Sequence, residues 1–239
     1  MIEIHQLSKS FHDQEVLKNI NLTITKGEIL TILGESGSGK SVLLKHMIGL
    51  LKPDHGNIKI DSTEITSLPE KELLKIRKNI GYLFQEGALY DFMNIFDNIA
   101  FPLKEHTALA PQEISEKVCQ VLKEVDLEGA QEKFPSELSG GMKKRAALAR
   151  AVVLGSQILF CDEPTSGLDP IRSRDISDLI YRVSRKMNCT TVITSHDIEN
   201  SLRISDRLAL IHAGEILAVG KSAELKTLKN PWVKQFIGD

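Results

Sequence analysis

No apolar run in this chain approaches the roughly 18 residues needed to span a bilayer. EILTILG from Glu28 and RLALIHAG from Arg207 are among the longest and stop well short. A basic excess is also missing: 30 Lys and Arg stand against 32 Asp and Glu. With a pI near 6.4, the chain has no electrostatic footprint for wrapping nucleic acid. Cysteine is scarce, and Cys119, Cys161 and Cys189 lack metal-ligand spacing. An odd number of them is expected to stay as reduced thiols in the cytosol. Cys161, inside QILFCDE, is expected to be a small buried hydrophobe. No internal repeat or low-complexity tract appears. Met1-Ile2-Glu3 lacks the basic start and apolar stretch of a secretion signal, so the protein is expected to stay where it is made.

What is present suffices for a sizeable core. Of 239 residues, 41% are hydrophobic and 26% charged, which suits one large domain or a core with an inserted subdomain. MIEIHQL, INLTIT and EILTIL alternate or run apolar and read as strands, as does GNIKID. A helix is expected from Gly39 to about Ile48, ended by Gly49. The middle of the chain is helical: in PQEISEKVCQVLKEVDL, Ile114, Val118, Val121, Leu122 and Val125 form one apolar stripe. Another helix should run from Ser139 to about Leu154. Strand QILFC, a helix from Pro170 to Met187, strand TTVITS, a short helix and strands RLALIH and EILAVG follow. This alternation predicts an α/β fold. Residues 1–86 and 157–239 form the core, 87–156 a helical insertion, and 221–239 a short tail.

GESGSGKS, from Gly34 to Ser41, fits G-x-x-x-x-G-K-[ST] between a strand and a helix, the context the motif requires. Its glycines, Gly34, Gly37 and Gly39, let backbone N–H groups curl around phosphate oxygens, and the helix N-terminus adds a favourable dipole. Lys40 would reach the β- and γ-phosphates, and Ser41 would ligate Mg²⁺. ILFCDEPTSGLDP ends an apolar strand in Asp162-Glu163, where an acid points into the ligand crevice of a parallel sheet. Asp162 can hold the Mg²⁺ water shell, and Glu163 can accept a proton from attacking water. Gln85, after IGYLF, offers an amide to Mg²⁺. His196, at the end of TTVITS, is a candidate γ-phosphate contact.

A second anion-binding sequence, Ser139-Gly140-Gly141, lies in the helical insertion apart from the loop at Gly34. Two copies arranged head to tail solve the geometry, each Ser-Gly-Gly capping the partner's nucleotide. Lys143-Lys144-Arg145 follows on the first turns, where cations oppose the helix dipole. A solvated face and long-range stabilisation of phosphates are the two readings open to it.

The ordered set GESGSGKS, Gln85, LSGGM, ILFCDE, SGLD and His196 resembles the nucleotide-binding domain of ATP-binding-cassette (ABC) transporters over essentially the whole chain. The resemblance implies the P-loop NTPase fold of ABC ATPases: a RecA-like parallel-sheet core with an N-terminal antiparallel β-subdomain and an inserted α-helical subdomain. It implies an ATP hydrolase with ATP and Mg²⁺ as ligands. Glu163, His196, Lys40 and Gln85 are the implied catalytic set. Gly34, Glu35, Ser36, Gly37, Ser38, Gly39, Lys40, Ser41 and Val42 are implied to contact nucleotide. Asp169 is implied to lie in the loop crossing a dimer interface, and Phe11 to stack on adenine. Two departures stand out: Met142 replaces the usual Gln, and Phe11 keeps a stacking face without a hydroxyl.

LFQEGALYDFMNIFDNIAFPL, from Leu83 to Leu103, is unusually apolar and aromatic. In the family this region receives the coupling helix of an integral membrane permease, so Gln85–Leu103 is the expected docking segment, anchored by Tyr90, Phe92, Met93, Phe96 and Phe101. The stretch also resembles ATPases of Mla/Mce-type phospholipid transport. That resemblance implies an MCE-type lipid-binding protein and a small accessory subunit as further partners, and a peripheral place on the cytoplasmic face of the inner membrane. Lipoprotein release, cell division and amino-acid import share every catalytic motif and remain alternatives. DNA-repair cassettes carry long coiled coils, and no sustained heptads appear here. In KNPWVKQFIGD, Trp232, Phe236 and Ile237 fall on one face of a short helix that must pack on its own domain or on a partner.

Overall fold

Alternating apolar residues build the N-terminal strands. The computed structural model describes residues 1–238, in two compact units: Met1–Ile76 with the chain from Thr190 onward, and Arg77–Cys189. β1 (Ile2–Phe11) and β2 (Gln14–Ile24) form an antiparallel pair, joined to β4 (His55–Ile60) and β5 (Thr63–Glu64) in the order β2-β1-β4-β5. Ile2 pairs with Ile24 and Ile60, and Ile4 with Leu22 and Ile58. All six are buried, each contributing about 1.5–3 kcal/mol by leaving water. Between β2 and β4 lie β3 (Ile29–Leu33) and α1 (Lys40–Met47), and α2 (Glu70–Arg77) follows β5.

The second unit opens on β6 (Ile80–Leu83), which pairs in parallel with β7 (Ile158–Asp162). Between them run α3 (Ile95–His106), α4 (Pro111–Glu124) and α5 (Gly140–Val152). The stripe expected on α4 is buried from Ile114 to Val125. α6 (Pro170–Met187) has the predicted bounds. Asp169 caps its first turn, Pro170 sets the first helical φ, and Asn188 ends it in the left-handed region. Ile176, Leu179, Ile180 and Val183 are its buried face.

The chain then returns to the first unit with β8 (Thr190–Ser195), α7 (Ile198–Ile204), β9 (Arg207–His212), β10 (Glu215–Gly220), α8 (Ser222–Lys226) and α9 (Pro231–Ile237). There β3 lies between β8 and β9, parallel to both, and β10 pairs antiparallel with β9. Every residue of β3 and of β8 is buried, the mark of central parallel strands covered on both faces. The tail helix packs on its own unit: Val233 and Ile237 join Leu33, Leu208, Leu210 and Leu225. The Trp232 and Phe236 rings stack at 4.6 Å. The expected α/β architecture holds. Among the described residues no helix is long and apolar enough to cross a membrane.

Candidate functional site

In the first unit the loop from Gly34 to Gly39 connects the buried end of β3 to α1. Gly34 N–H donates to the Ser195 carbonyl at 3.3 Å, which sets the exposed His196 beside the start of the loop. Only glycine fits at Gly34, because a Cβ there would lie 2.3 Å from the Ile211 carbonyl oxygen. Gly39 caps α1 at φ +100, a conformation that side chains resist. Lys40 is buried, and its Nζ donates to the carbonyls of Gly34 at 2.8 Å and Glu35 at 3.0 Å. Ser38 Oγ is buried without a hydrogen-bond partner. A buried ammonium and an orphaned Ser38 hydroxyl, at a helix N-terminus, suit a polyphosphate. Glu35, Ser36 and Gly37 are exposed, and Ser41 and Val42 are half-buried on the first turn of α1. Phe11, at the end of β1, is an exposed ring rather than a core residue, with Lys9 Nζ 5.5 Å from its centroid.

In the second unit, β7 ends in Asp162, and Glu163 follows it. Both carboxylates are buried, and Glu163 takes φ +43, a strained left-handed conformation for a residue with a side chain. Gln85 Nε2 donates to Ser166 Oγ at 3.4 Å, and Ser166 N–H donates to the Glu163 carbonyl at 3.1 Å. Gln85, Asp162 and Glu163 are thus brought together. Tyr82, which the sequence reading passed over, donates its hydroxyl to Asp162 Oδ2 at 3.3 Å. Burial, and then the Asp162 charge, push the phenol above its ordinary range. Its signal in the sequence was slight: a tyrosine three residues before Gln85 on a short strand.

Ser139 is the N-cap of α5 and accepts from Met142 N–H. It is exposed, with Gly140, at a terminus whose first N–H groups have no intrahelical partner. Asp169 is also exposed, and its carboxylate accepts from Arg172 N–H at 3.0 Å. Of the two readings open to the cationic run after the glycines, a solvated face does not describe Lys144 or Arg145. Lys144 is 7% exposed and donates to the Gln85 carbonyl. Arg145 donates to the Val125 carbonyl and to Asp126. These side chains serve the packing of their own unit because buried backbone carbonyls need donors.

The segment from Gln85 to Leu103 is partly packed and partly open. Tyr90 lies 5.7 Å from the Phe92 ring and 5.3 Å from Phe101, whereas Phe92 is 76% exposed. Asn98, fully buried, accepts from Tyr90 N–H and donates to the Tyr90, Met93 and Asn94 carbonyls. Cys161 is buried as expected, which raises its thiol pKa. Among the described residues no group of three or more His, Cys, Asp or Glu could hold a metal ion.

The family model for ABC transporters matches residues 17–166. The chain is 45% identical over 236 residues to the Mycobacterium tuberculosis "Probable ribonucleotide transport ATP-binding protein mkl", covering 99% of this chain and 66% of that protein. It therefore spans just under two thirds of that relative's length. It is 42% identical over 237 residues to the Haemophilus influenzae "Intermembrane phospholipid transport system ATP-binding protein MlaF", covering 99% of this chain and 90% of that one. A dimeric ATP-binding cassette in a post-hydrolysis state, bound to ADP and phosphate, superposes with a TM-score of 0.84 at 32% identity, over 92% of this chain and 98% of that one.

Proposed function

The chain belongs to the ABC transporter family, and from that premise we propose that it is the ATP-hydrolysing subunit of a transporter that moves phospholipid across or out of the inner membrane, maintaining outer-membrane lipid asymmetry. The observation that carries the ATPase reading is the loop from Gly34 to Ser41, with the buried Lys40 ammonium and the orphaned Ser38 hydroxyl. Lys40 and the loop N–H groups bind the phosphates, Phe11 stacks on adenine, and His196 contacts the γ-phosphate. Glu163 accepts the proton of the attacking water as its oxygen bonds to the γ-phosphorus. The bond to the bridging oxygen then breaks and ADP leaves with it. Ser41, Gln85 and Asp162 supply oxygen donors that suit Mg²⁺, which would offset phosphate charge.

In this reading a second copy caps each nucleotide with Ser139, Gly140 and Gly141, and Asp169 lies in the loop facing that copy. The segment Gln85–Leu103 receives an integral membrane permease, with exposed Phe92 as its anchor. The protein sits peripherally on the cytoplasmic face, with an MCE-type lipid-binding protein and a small accessory subunit in the complex. The phospholipid cargo is supported by the 42% identity to the Haemophilus protein. The ribonucleotide cargo named for the mycobacterial relative is the second reading, favoured by 45% identity.

Purification of the tagged protein from native membranes in mild detergent, with identification of co-purifying proteins and bound lipids, tests the assignment. A permease with an MCE-type protein and enriched phospholipid is the expected result. A permease without lipid, and with ribonucleotide uptake lost on deletion, would replace the cargo.

A further inference from the structure

One face of α5 forms a seat for the loop that follows Gln85. Lys144 donates to the Gln85 carbonyl. Arg150 donates through Nη2 to the Gly87 carbonyl at 2.8 Å and through Nη1 to the Ala88 carbonyl at 2.7 Å. Gly87 presses on the same face: a Cβ there would lie 3.3 Å from Ala147 Cβ and 3.8 Å from the Lys143 carbonyl oxygen. Residues 143, 144, 147 and 150 recur at helical spacing and so share one side of the helix. Gly87 and Ala88 both take positive φ, so the loop leaves Gln85 through a tight reversal, held by two side chains from one helix. Arg150 also lies 5.8 Å from the Tyr90 ring centroid.

The two cations are unusually placed. Lys144 is almost fully buried. Burial lowers its pKa, while Glu86, Glu163 and Asp162 raise it. A desolvated ammonium is costly unless nearby carboxylates and hydrogen bonds hold it. Packing alone does not call for a lysine's length here, since Ala147 on the same side of the helix is buried with a small side chain. The reach of Lys144 selects one acceptor, the carbonyl of Gln85.

We propose that Lys144 is a positioning residue: it fixes the main chain at Gln85 from the same helix whose N-terminus presents Ser139, Gly140 and Gly141, with Arg150 holding the following two residues. The helix then acts as a strut. Whatever engages its N-terminus is transmitted, one turn along, to the backbone that carries the Gln85 amide and leads on to Phe92. The inference rests on the ATPase reading for its consequence in turnover, though not for the clamp itself.

The test compares Lys144→Met, which keeps length and removes the donor, with Lys144→Arg, which keeps charge and donors. Amide hydrogen exchange of residues 86–93 is measured without nucleotide, alongside kcat and KM for ATP. With Lys144→Met, exchange in this segment should rise by about tenfold or more. Its kcat should fall about tenfold, with KM within about threefold. Lys144→Arg should restore at least half of both changes. Unchanged exchange at 86–93 overturns the clamp, whatever happens to turnover. Increased exchange with kcat intact overturns the positioning role. If the parent protein hydrolyses no ATP, the function proposed above fails, and the exchange comparison alone decides whether Lys144 holds the loop. Should Lys144→Met fail to fold, Lys144→Ala, which also removes the donor, carries the same comparison.

Discussion

Tyr82 and Asp162 stand near the ends of two neighbouring parallel strands, and the phenol hydroxyl donates to the carboxylate across 3.3 Å. A buried carboxylate beside a second buried carboxylate, Glu163, thereby has a donor supplied by the protein itself. The arrangement keeps Asp162 oriented at modest cost, because the tyrosine approaches from the adjacent strand of the same pair.

Tyr82→Phe removes this donor and little else. Unfolding by urea should show a loss of about 1 kcal/mol. An unchanged midpoint would mean that the bond contributes nothing net to the fold.

Lys40 and Glu163 should separate binding from turnover. Lys40→Ala takes the ammonium out of the loop and is expected to weaken ATP binding by about tenfold or more, with hydrolysis lost alongside. Glu163→Gln preserves shape and removes the proton acceptor, so ATP still binds while kcat falls by about 10²-fold or more. Equilibrium dialysis with labelled ATP and a phosphate-release assay make the comparison. Normal turnover by Glu163→Gln would remove that residue from the mechanism.

His46 gives the stability a pH dependence of known sign. It is buried on α1, with Nδ1 2.7 Å from the Val42 carbonyl and Nε2 unpartnered. Burial holds its pKa below 6.5, against the Val42 and Lys52 carbonyls and Asp54; Lys9 adds to the lowering. The unfolded chain therefore binds the proton more readily. The stabilisation is fully present above the unfolded value and is lost as pH falls through the folded one. Urea midpoints measured from about pH 7.5 to about pH 5.5 should fall in the parent protein and flatten in His46→Phe. Equal slopes would place the dependence on other groups.

Asn98 should be among the most sensitive polar residues. Asn98→Ala removes the acceptor of the Tyr90 N–H and a side-chain donor from three carbonyls, of which those of Tyr90 and Asn94 keep backbone donors, at about 2–3 kcal/mol. Asn98→Asp should cost at least as much, because its carboxylate would face three carbonyl oxygens. Thermal melting ranks the two. A mild Asn98→Asp would show that this segment does not depend on the donated bonds.

Much of the architecture was legible because local and tertiary signals agreed. The helix expected from Pro170 to Met187 has those bounds as α6, where Asp169 caps the start and Ile176, Leu179, Ile180 and Val183 bury one face. The phosphate loop was legible because its glycines answer a fixed steric demand, visible at Gly34 against Ile211. α3 was hidden by Pro102 in its interior, a residue that ordinarily costs a helix about 3 kcal/mol. Here Asn94 caps its start and Ile95, Ile99 and Leu103 bury its face. Lys144 was illegible for a different reason. A lysine three residues after a glycine pair reads as surface, and only the chain reversal after Gln85 supplies the carbonyl that draws it inward. Tyr82 is similar, since its partner lies 80 positions away.

The stacked rings at the end of the chain give the protein an optical property. Trp232 is the single tryptophan of the sequence. Its indole lies 4.6 Å from the His212 ring, and His212 Nδ1 is 3.9 Å from Glu35 in the phosphate loop. All indole emission thus originates at one position, two contacts from that loop. A displacement of Glu35 by an arriving ligand is expected to alter that emission, which fluorescence on unlabelled material would read in real time.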